Sequence, residues 1–282
     1  INSLPTLIEY AAFFASIQIF KFIYVRLLQL PDTIQSYAIA GGSYDIIHLL
    51  ESKDVVFNEL ALSTAIEYHR NEIIDYLIDN YQPTVFISYQ SVLLPSIVNY
   101  NLEILLTHIY TFDLNNTDDP YQWNALLCAT ASNHCDLIKF FYKKFNIQLD
   151  SKTSARNSAF NIAASKGFDD IIRFLCREKI IGMNETNETG ETPLHIACKS
   201  GFLKTVKALV SRKGIDINAR DRITNETPLI SAAKHGNTKI VEFLIQQNNI
   251  NINIKDKNNR TFINYLPNKA TQLMQLYHSS HK

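Results

Sequence analysis

The chain has 282 residues, 46% of them hydrophobic and 19% charged, enough apolar matter to bury a continuous core. Formal net charge is zero, yet residues 1–183 carry 13 Lys and Arg against 19 Asp and Glu, whereas residues 184–282 carry 14 against 8. That imbalance can steer an oppositely charged partner to one end, but the basic residues are spread out rather than clustered with aromatic platforms, which weighs against nucleic acid.

From Ile1 to about Asp79 the apolar pattern predicts helix pairs joined by short links. Small residues at Ala11, Ala38 and Ala65 recur at intervals of 27, each followed by an apolar stripe at helical spacing such as Ile46-Ile47-x-Leu49-Leu50 or Ile73-Ile74-x-x-Leu77-Ile78. The apolar stretch from Tyr10 to Leu30 is broken by Gln18, Lys21 and Arg26, so a packed helix pair is expected there rather than a membrane span. Residues 80–118 hold an irregular unit: Pro95 falls inside the expected inner helix beside the anchor Ser96, which predicts an irregular or kinked element.

From 119 to 282 the pattern is regular. Anchors at Ala129, Ala163, Ala197, Ala232 and Leu266 lie 34, 34, 35 and 34 residues apart. Second stripes follow, as in Leu137-Ile138-x-Phe140-Phe141, Ile171-Ile172-x-Phe174-Leu175, Val206-x-x-Leu209-Val210 and Ile240-Val241-x-Phe243-Leu244. Thr192-Pro193 and Thr227-Pro228 supply a helix cap followed by a first-turn proline, whose missing N–H costs nothing there. Gly167, Gly201 and Gly236 are placed to end the inner helix with φ > 0. Ile215-Asp216-Ile217-Asn218 and Ile250-Asn251-Ile252-Asn253 alternate apolar and polar residues, predicting extended stems before turns that begin at Asp221 and Asp256. Leu266 replaces alanine in the last unit, which is expected to close the stack with a polar face.

The phrase Glu191-Thr192-Pro193-Leu194-His195-Ile196-Ala197-Cys198-Lys199-Ser200-Gly201 resembles the signature of the ankyrin repeat. The part before about Asp79 is similar to the domain of unknown function that precedes ankyrin repeats in many ankyrin proteins of unicellular eukaryotes, most closely at Tyr37-Ala38-x-x-Gly41-Gly42-x-x-Asp45-Ile46-Ile47-x-Leu49-Leu50. The resemblance implies an all-α solenoid of stacked helix pairs, with short β-hairpin fingers in the C-terminal two thirds, running as one array over 1–282. It also implies that His195 hydrogen-bonds between turns and that the concave side binds another protein.

In such proteins contact positions lie on finger tips and inner helices. Here those are Tyr121 and Trp123; Asn157, Ser165 and Lys166; Glu188, Thr189, Glu191, Lys199 and Ser200; Arg222, Ile223, Glu226, Lys234 and His235; and Lys257, Asn258 and Arg260. Trp123, just after the turn Asp118-Asp119-Pro120-Tyr121, reads either as a binding anchor or as packing over the irregular unit.

No phosphate loop, His-Glu-x-x-His or nucleophile elbow occurs, and His134-Cys135 reads as a chance pair, so no catalysis, cofactor or metal is expected. Cys128, Cys135, Cys176 and Cys198 form no Cys-x-x-Cys pair and are expected as reduced core residues of a cytoplasmic, monomeric protein. Asn-x-Ser/Thr triplets at Asn115, Asn184, Asn187, Asn225 and Asn259 fall mostly in repeat turns, where turn chemistry accounts for them. No signal peptide is read from Ile1, which is not a methionine, and a longer parent chain is left open. The alternative function is an architectural spacer or cap with no ligand of its own.

Overall fold

The computed structural model describes residues 5–27, 29–81, 89–117, 120–178 and 182–281. Two compact units form, 1–113 and 114–282.

In the first unit α1 (Leu7–Phe13), α3 (Ile34–Gly41), α5 (Glu59–Glu67) and α7 (Leu94–Val98) stack in order as inner helices. Their partners α2 (Ile17–Tyr24), α4 (Tyr44–Glu51), α6 (Asn71–Asn80) and α8 (Leu102–His108) follow each one directly. The anchors Ala11, Ala38, Ala65 and Ser96 are all buried, because two inner helices can approach only over small side chains. Pro95 is accommodated by a π-helical turn, Tyr89–Leu93, that runs into α7. The wider turn gives room for a ring that would collide with the carbonyl four residues back, and Ser96 Oγ donates to the Val92 carbonyl at 2.7 Å. The irregular element expected around Pro95 is therefore this π turn; residues 82–88 of that unit lie outside the described residues.

The second unit repeats the plan with α9 (Ala125–Ala131), α11 (Ala159–Lys166), α13 (Pro193–Ser200) and α15 (Pro228–Lys234) as inner helices, stacked in order. Their outer partners are α10 (Cys135–Phe145), α12 (Asp169–Arg177), α14 (Leu203–Val210) and α16 (Thr238–Leu244). Asn124, Ser158, Thr192 and Thr227 cap the four inner helices, each side chain accepting the amide three residues on. In the last unit the inner helix shrinks to a 3₁₀ turn, Phe262–Tyr265, and Leu266 lies outside it, so that position is no anchor. The closing α17 (Ala270–Ser280) buries only Leu273, leaving a largely solvated end.

One backbone feature unifies all eight complete helix pairs. The residue four after each anchor is left-handed: Ala15, Gly42, His69 and Tyr100 in the first unit, and Asn133, Gly167, Gly201 and Gly236 in the second. In seven of the eight the following amide returns to the anchor carbonyl, as in Arg70 N to Ala65 O at 2.8 Å and Asn237 N to Ala232 O at 2.9 Å, and in the Ala38 pair the Gly42 amide does so at 3.1 Å. This turn reverses the chain from inner to outer helix. Side chains just after it tie neighbouring pairs together: Arg70 Nε and Nη2 donate to the Ala40 carbonyl at 2.9 and 2.8 Å, and Asn237 Nδ2 donates to the carbonyls of Cys198 and Lys199 at 2.8 and 3.1 Å.

The β-hairpin fingers do not form strands among the described residues. Each finger is closed by one backbone bond, from Thr153 N to Asn157 O, Asn187 N to Glu191 O, Asp221 N to Glu226 O and Asp256 N to Arg260 O. Among the described residues the one β-bridge is the isolated pair of Lys152 and Ser158. The expected extended stems are turns, because Asp216 Oδ1 takes the Asn218 amide and Asn251 Oδ1 the Asn253 amide, each at 3.0 Å.

Candidate functional site

Each finger of the second unit is built around a side chain that accepts its own turn amides. Asn187 Oδ1 takes the amides of Thr189 and Glu191 at 3.1 and 2.9 Å. Asp221 takes the amides of Ile223, Thr224 and Glu226 together with the Thr224 hydroxyl, and Asp256 takes the amides of Asn258 and Arg260. Burial alone would raise the Asp221 carboxyl, but the Thr224 hydroxyl and the converging amides more than offset it and hold its pKa below the usual range. Asp256 is lowered in the same way, against its burial, by the Tyr265 hydroxyl and the turn amides, while burial and the carboxylate push Tyr265 up to about 12.

Successive fingers are laced by single backbone bonds at a constant step. Ser154 N donates to Tyr121 O, Glu188 N to Ala155 O, Arg222 N to Thr189 O and Lys257 N to Thr224 O, at 2.9 to 3.3 Å. Gly190 sits where the next finger comes closest, since a Cβ there would meet the Arg222 amide nitrogen at 2.3 Å. Behind the fingers, His195 is fully buried and neutral. Burial lowers its pKa, Nδ1 accepts from the Thr192 hydroxyl at 2.8 Å, and Nε2–H donates to the Glu226 carbonyl at 3.0 Å, as the resemblance implied.

Two neighbouring grooves lie between fingers and inner helices. One, of about 300 Å³, is lined by Asn157, Ser165, Glu191, Lys199 and Ser200 of the expected set, together with Asn161, Ile162, Asn187 and Ile196. The other, of about 230 Å³, is lined by Thr189, Glu191, Lys199, Ile223, Glu226, Lys234 and His235, together with Asp221, Thr224 and Ser231. Glu191 and Lys199 belong to both and form an ion pair at 3.1 Å. The same rung recurs one repeat later as Glu226–Lys234 at 2.6 Å.

Glu226 departs from the expectation of an exposed contact. It is 6% exposed, buried under its own finger, and presents Lys234 rather than itself. Lys166, Glu188 and Arg222 are exposed outside these grooves. Lys257 Nζ donates to the Ile223 carbonyl at 3.2 Å, the Asn258 amide closes its own turn, and Arg260 is held by Asp256 and stacks on the Tyr265 ring at 4.6 Å. Tyr121 is 68% exposed, Trp123 is half-buried directly before the Asn124 cap, and Asp118 and Asp119 of that turn lie outside the described residues. Ile162 and Ile196 line the first groove but are not in the expected set. Both stand immediately before an anchor and are 8% exposed, so the repeat register was the signal for them.

Among the described residues no group of three or more His, Cys, Asp and Glu gathers to hold a metal ion, and no helix is long and apolar enough to cross a membrane. Cys128, Cys176 and Cys198 are buried and Cys135 half-buried, all as free thiols, and burial pushes the Cys135 and Cys198 thiols up.

The sequence matches the family described as ankyrin repeats (3 copies) over residues 144–221 and that described as ankyrin repeats (many copies) over 200–245. It matches a domain of unknown function, DUF3447, over 29–110, a span that takes in the Pro95 unit and the two helix pairs before it but not α1 and α2. Among solved structures, the ankyrin repeat protein EF0377 is similar with a TM-score of 0.58 at 20% identity, over 68% of this chain and 98% of that one. An ankyrin repeat domain from Acinetobacter baumannii AYE is similar with a TM-score of 0.59 at 20% identity, over 68% of this chain and 97% of that one. No curated protein matches the sequence.

Proposed function

We propose that this chain, which carries ankyrin repeats over 144–245 behind a domain of unknown function, is a non-enzymatic scaffold that binds a partner protein on the concave side formed by its finger tips and inner helices. One observation carries the reading: the paired grooves that share Glu191 and Lys199 draw their lining from the same positions of successive repeats. The groups that hold the stack are meanwhile consumed internally. Asp221 and Asp256 are saturated by their turns and His195 by its neighbours, so what remains toward solvent is the set Lys199, Ser200, Ile223, Lys234 and His235. Ile223, 55% exposed at a finger tip, is the apolar member of that set.

The test is photo-crosslinking from position 223 in the source cell, with Lys199→Glu and Ser200→Arg as competitor variants. A specific partner whose capture falls at least tenfold in both variants, with thermal midpoints unchanged, supports the reading. Capture indifferent to both substitutions points to an architectural array without a dedicated ligand.

A further inference from the structure

The face that carries the two grooves sorts its charges by depth. Its segments are the finger tips 153–157, 187–191, 221–226 and 256–260 and the inner helices α11, α13 and α15. They hold five carboxylates, of which only Glu188 is exposed; Asp221, Glu226 and Asp256 are buried and Glu191 is half-buried. The same segments hold seven lysines and arginines, and all seven are exposed. Their near balance in number is therefore a strong imbalance at the surface.

The three ion pairs on this face share one polarity. In Lys199–Glu191, Lys234–Glu226 and Arg260–Asp256 the carboxylate lies beneath, 21%, 8% and 1% exposed, and the cation lies above it, 50%, 41% and 44% exposed. Each ammonium spends one of its three donors on its carboxylate and turns the others to solvent. The remaining cations, Arg156, Lys166, Arg222 and Lys257, take part in no ion pair among the described residues. An approaching molecule meets positive charge repeat after repeat, with the compensating carboxylates already desolvated and hydrogen-bonded below.

Resting on the reading of this face as the binding surface, we propose that its ligand is an acidic segment of a partner protein, whose aspartate and glutamate side chains engage these cations while an apolar side chain packs against Ile223. Ile223, Lys234 and His235 line one groove, so apolar contact and positive charge meet there, and the neighbouring groove adds the Ile162 and Ile196 side chains and the Ser165 and Ser200 hydroxyls. The same surface disfavours a nucleic-acid strand. Phe160 is the one Phe, Tyr or Trp in these segments and is 1% exposed, so bases find no ring to stack on.

Selection of a displayed library of random peptides on the 282-residue chain tests this, followed by affinities of the selected peptides, made synthetically, and of an oligothymidylate. Enriched sequences rich in Asp and Glu are expected. Their binding weakens at least tenfold in a Lys166→Glu, Arg222→Glu double variant, and at least tenfold between about 0.05 and about 0.5 M NaCl as the Debye length contracts. Glu188→Lys, which removes the exposed carboxylate, strengthens it at least twofold. Lys204→Glu, a charge reversal at an exposed position of the outer helix α14, leaves it within twofold. Neutral or basic peptides that lose binding in Lys199→Glu leave the scaffold reading standing and overturn this one. Selection that enriches no acidic sequence, acidic peptides indifferent to the double variant or equally weakened by Lys204→Glu, and tighter binding of the oligothymidylate each overturn it as well.

Discussion

His195 and Glu226 are joined across a repeat boundary by one buried bond, the imidazole Nε2–H donating to the Glu226 main-chain carbonyl at 3.0 Å. The Glu226 side chain then turns outward to hold Lys234. A group that locks the stack and a group that lines a groove thus share one residue.

The equivalent position one repeat earlier lacks that bond. Asn161 is 2% exposed, its Oδ1 is taken by Ser158, and its Nδ2 is buried without a partner. Asn161→His places a ring N–H where the longer side chain reaches the next finger, and stabilisation of about 0.5–1.5 kcal/mol is expected. Urea denaturation measures it; a variant less stable than the parent would show that this repeat boundary is too wide for the histidine bridge.

Thr205 is fully buried where six of the other later pairs carry Ile or Leu eight residues past the anchor, and its hydroxyl finds no partner. Thr205→Val exchanges an unsatisfied polar atom for a methyl of the same shape and is expected to stabilise by about 1–2 kcal/mol. An unchanged or lowered denaturation midpoint would mean the hydroxyl is satisfied in solution.

The left-handed turn after each inner helix predicts opposite outcomes at different repeats. Ala15 and His69, exposed at φ of 52° and 55°, bear the cost of a Cβ in that region, so Ala15→Gly and His69→Gly are each expected to stabilise by about 0.5–1 kcal/mol. Gly201 has φ 85°, and a Cβ there would stand 3.0 Å from Asn237 Oδ1, so Gly201→Val is expected to lose more than about 1 kcal/mol. Thermal midpoints that move alike in all three variants contradict the shared turn.

Acid sensitivity follows from the fingers. The Asp221 and Asp256 carboxyls have pKa values lowered on folding, so their contribution is complete above the unfolded value of about 3.9 and is lost as pH falls through the folded values. Asp221→Asn is expected to cost about 1–3 kcal/mol at pH 7, because an amide nitrogen then faces amide donors, with the difference from the parent shrinking below about pH 4. Denaturation curves between pH 7 and pH 2.5 decide it, and a difference independent of pH rules out the carboxylate as the source.

Trp123 separates binding from packing once a partner is known. As an interface anchor its Trp123→Ala variant weakens binding at least tenfold, an effect of about 1.4 kcal/mol or more, and leaves the thermal midpoint nearly unchanged. A large loss of midpoint, with affinity kept in the folded fraction, assigns the indole to packing beside the Asn124 cap.

The anchors from Ala11 to Ala232, the Thr-Pro caps and the glycines after α11, α13 and α15 could be read directly from the chain, because helix approach, capping and positive φ each admit few residue types. The bond of His195 between turns was implied instead by the resemblance of the phrase around it to the ankyrin signature. What escaped it was decided by neighbours. Ala15, His69 and Tyr100 adopt the left-handed turn without the residue type that announces it, since the helices packed on either side impose the reversal. The predicted stems became turns because Asp216 and Asn251 each captured an amide two residues on. Glu226, placed among the exposed contacts, lies buried, whereas the apolar Leu7 and Ile19 lie open. A sequence period fixes which residues share a register position, while burial depends on whether another element is there to cover it, and that is a property of the assembled stack alone.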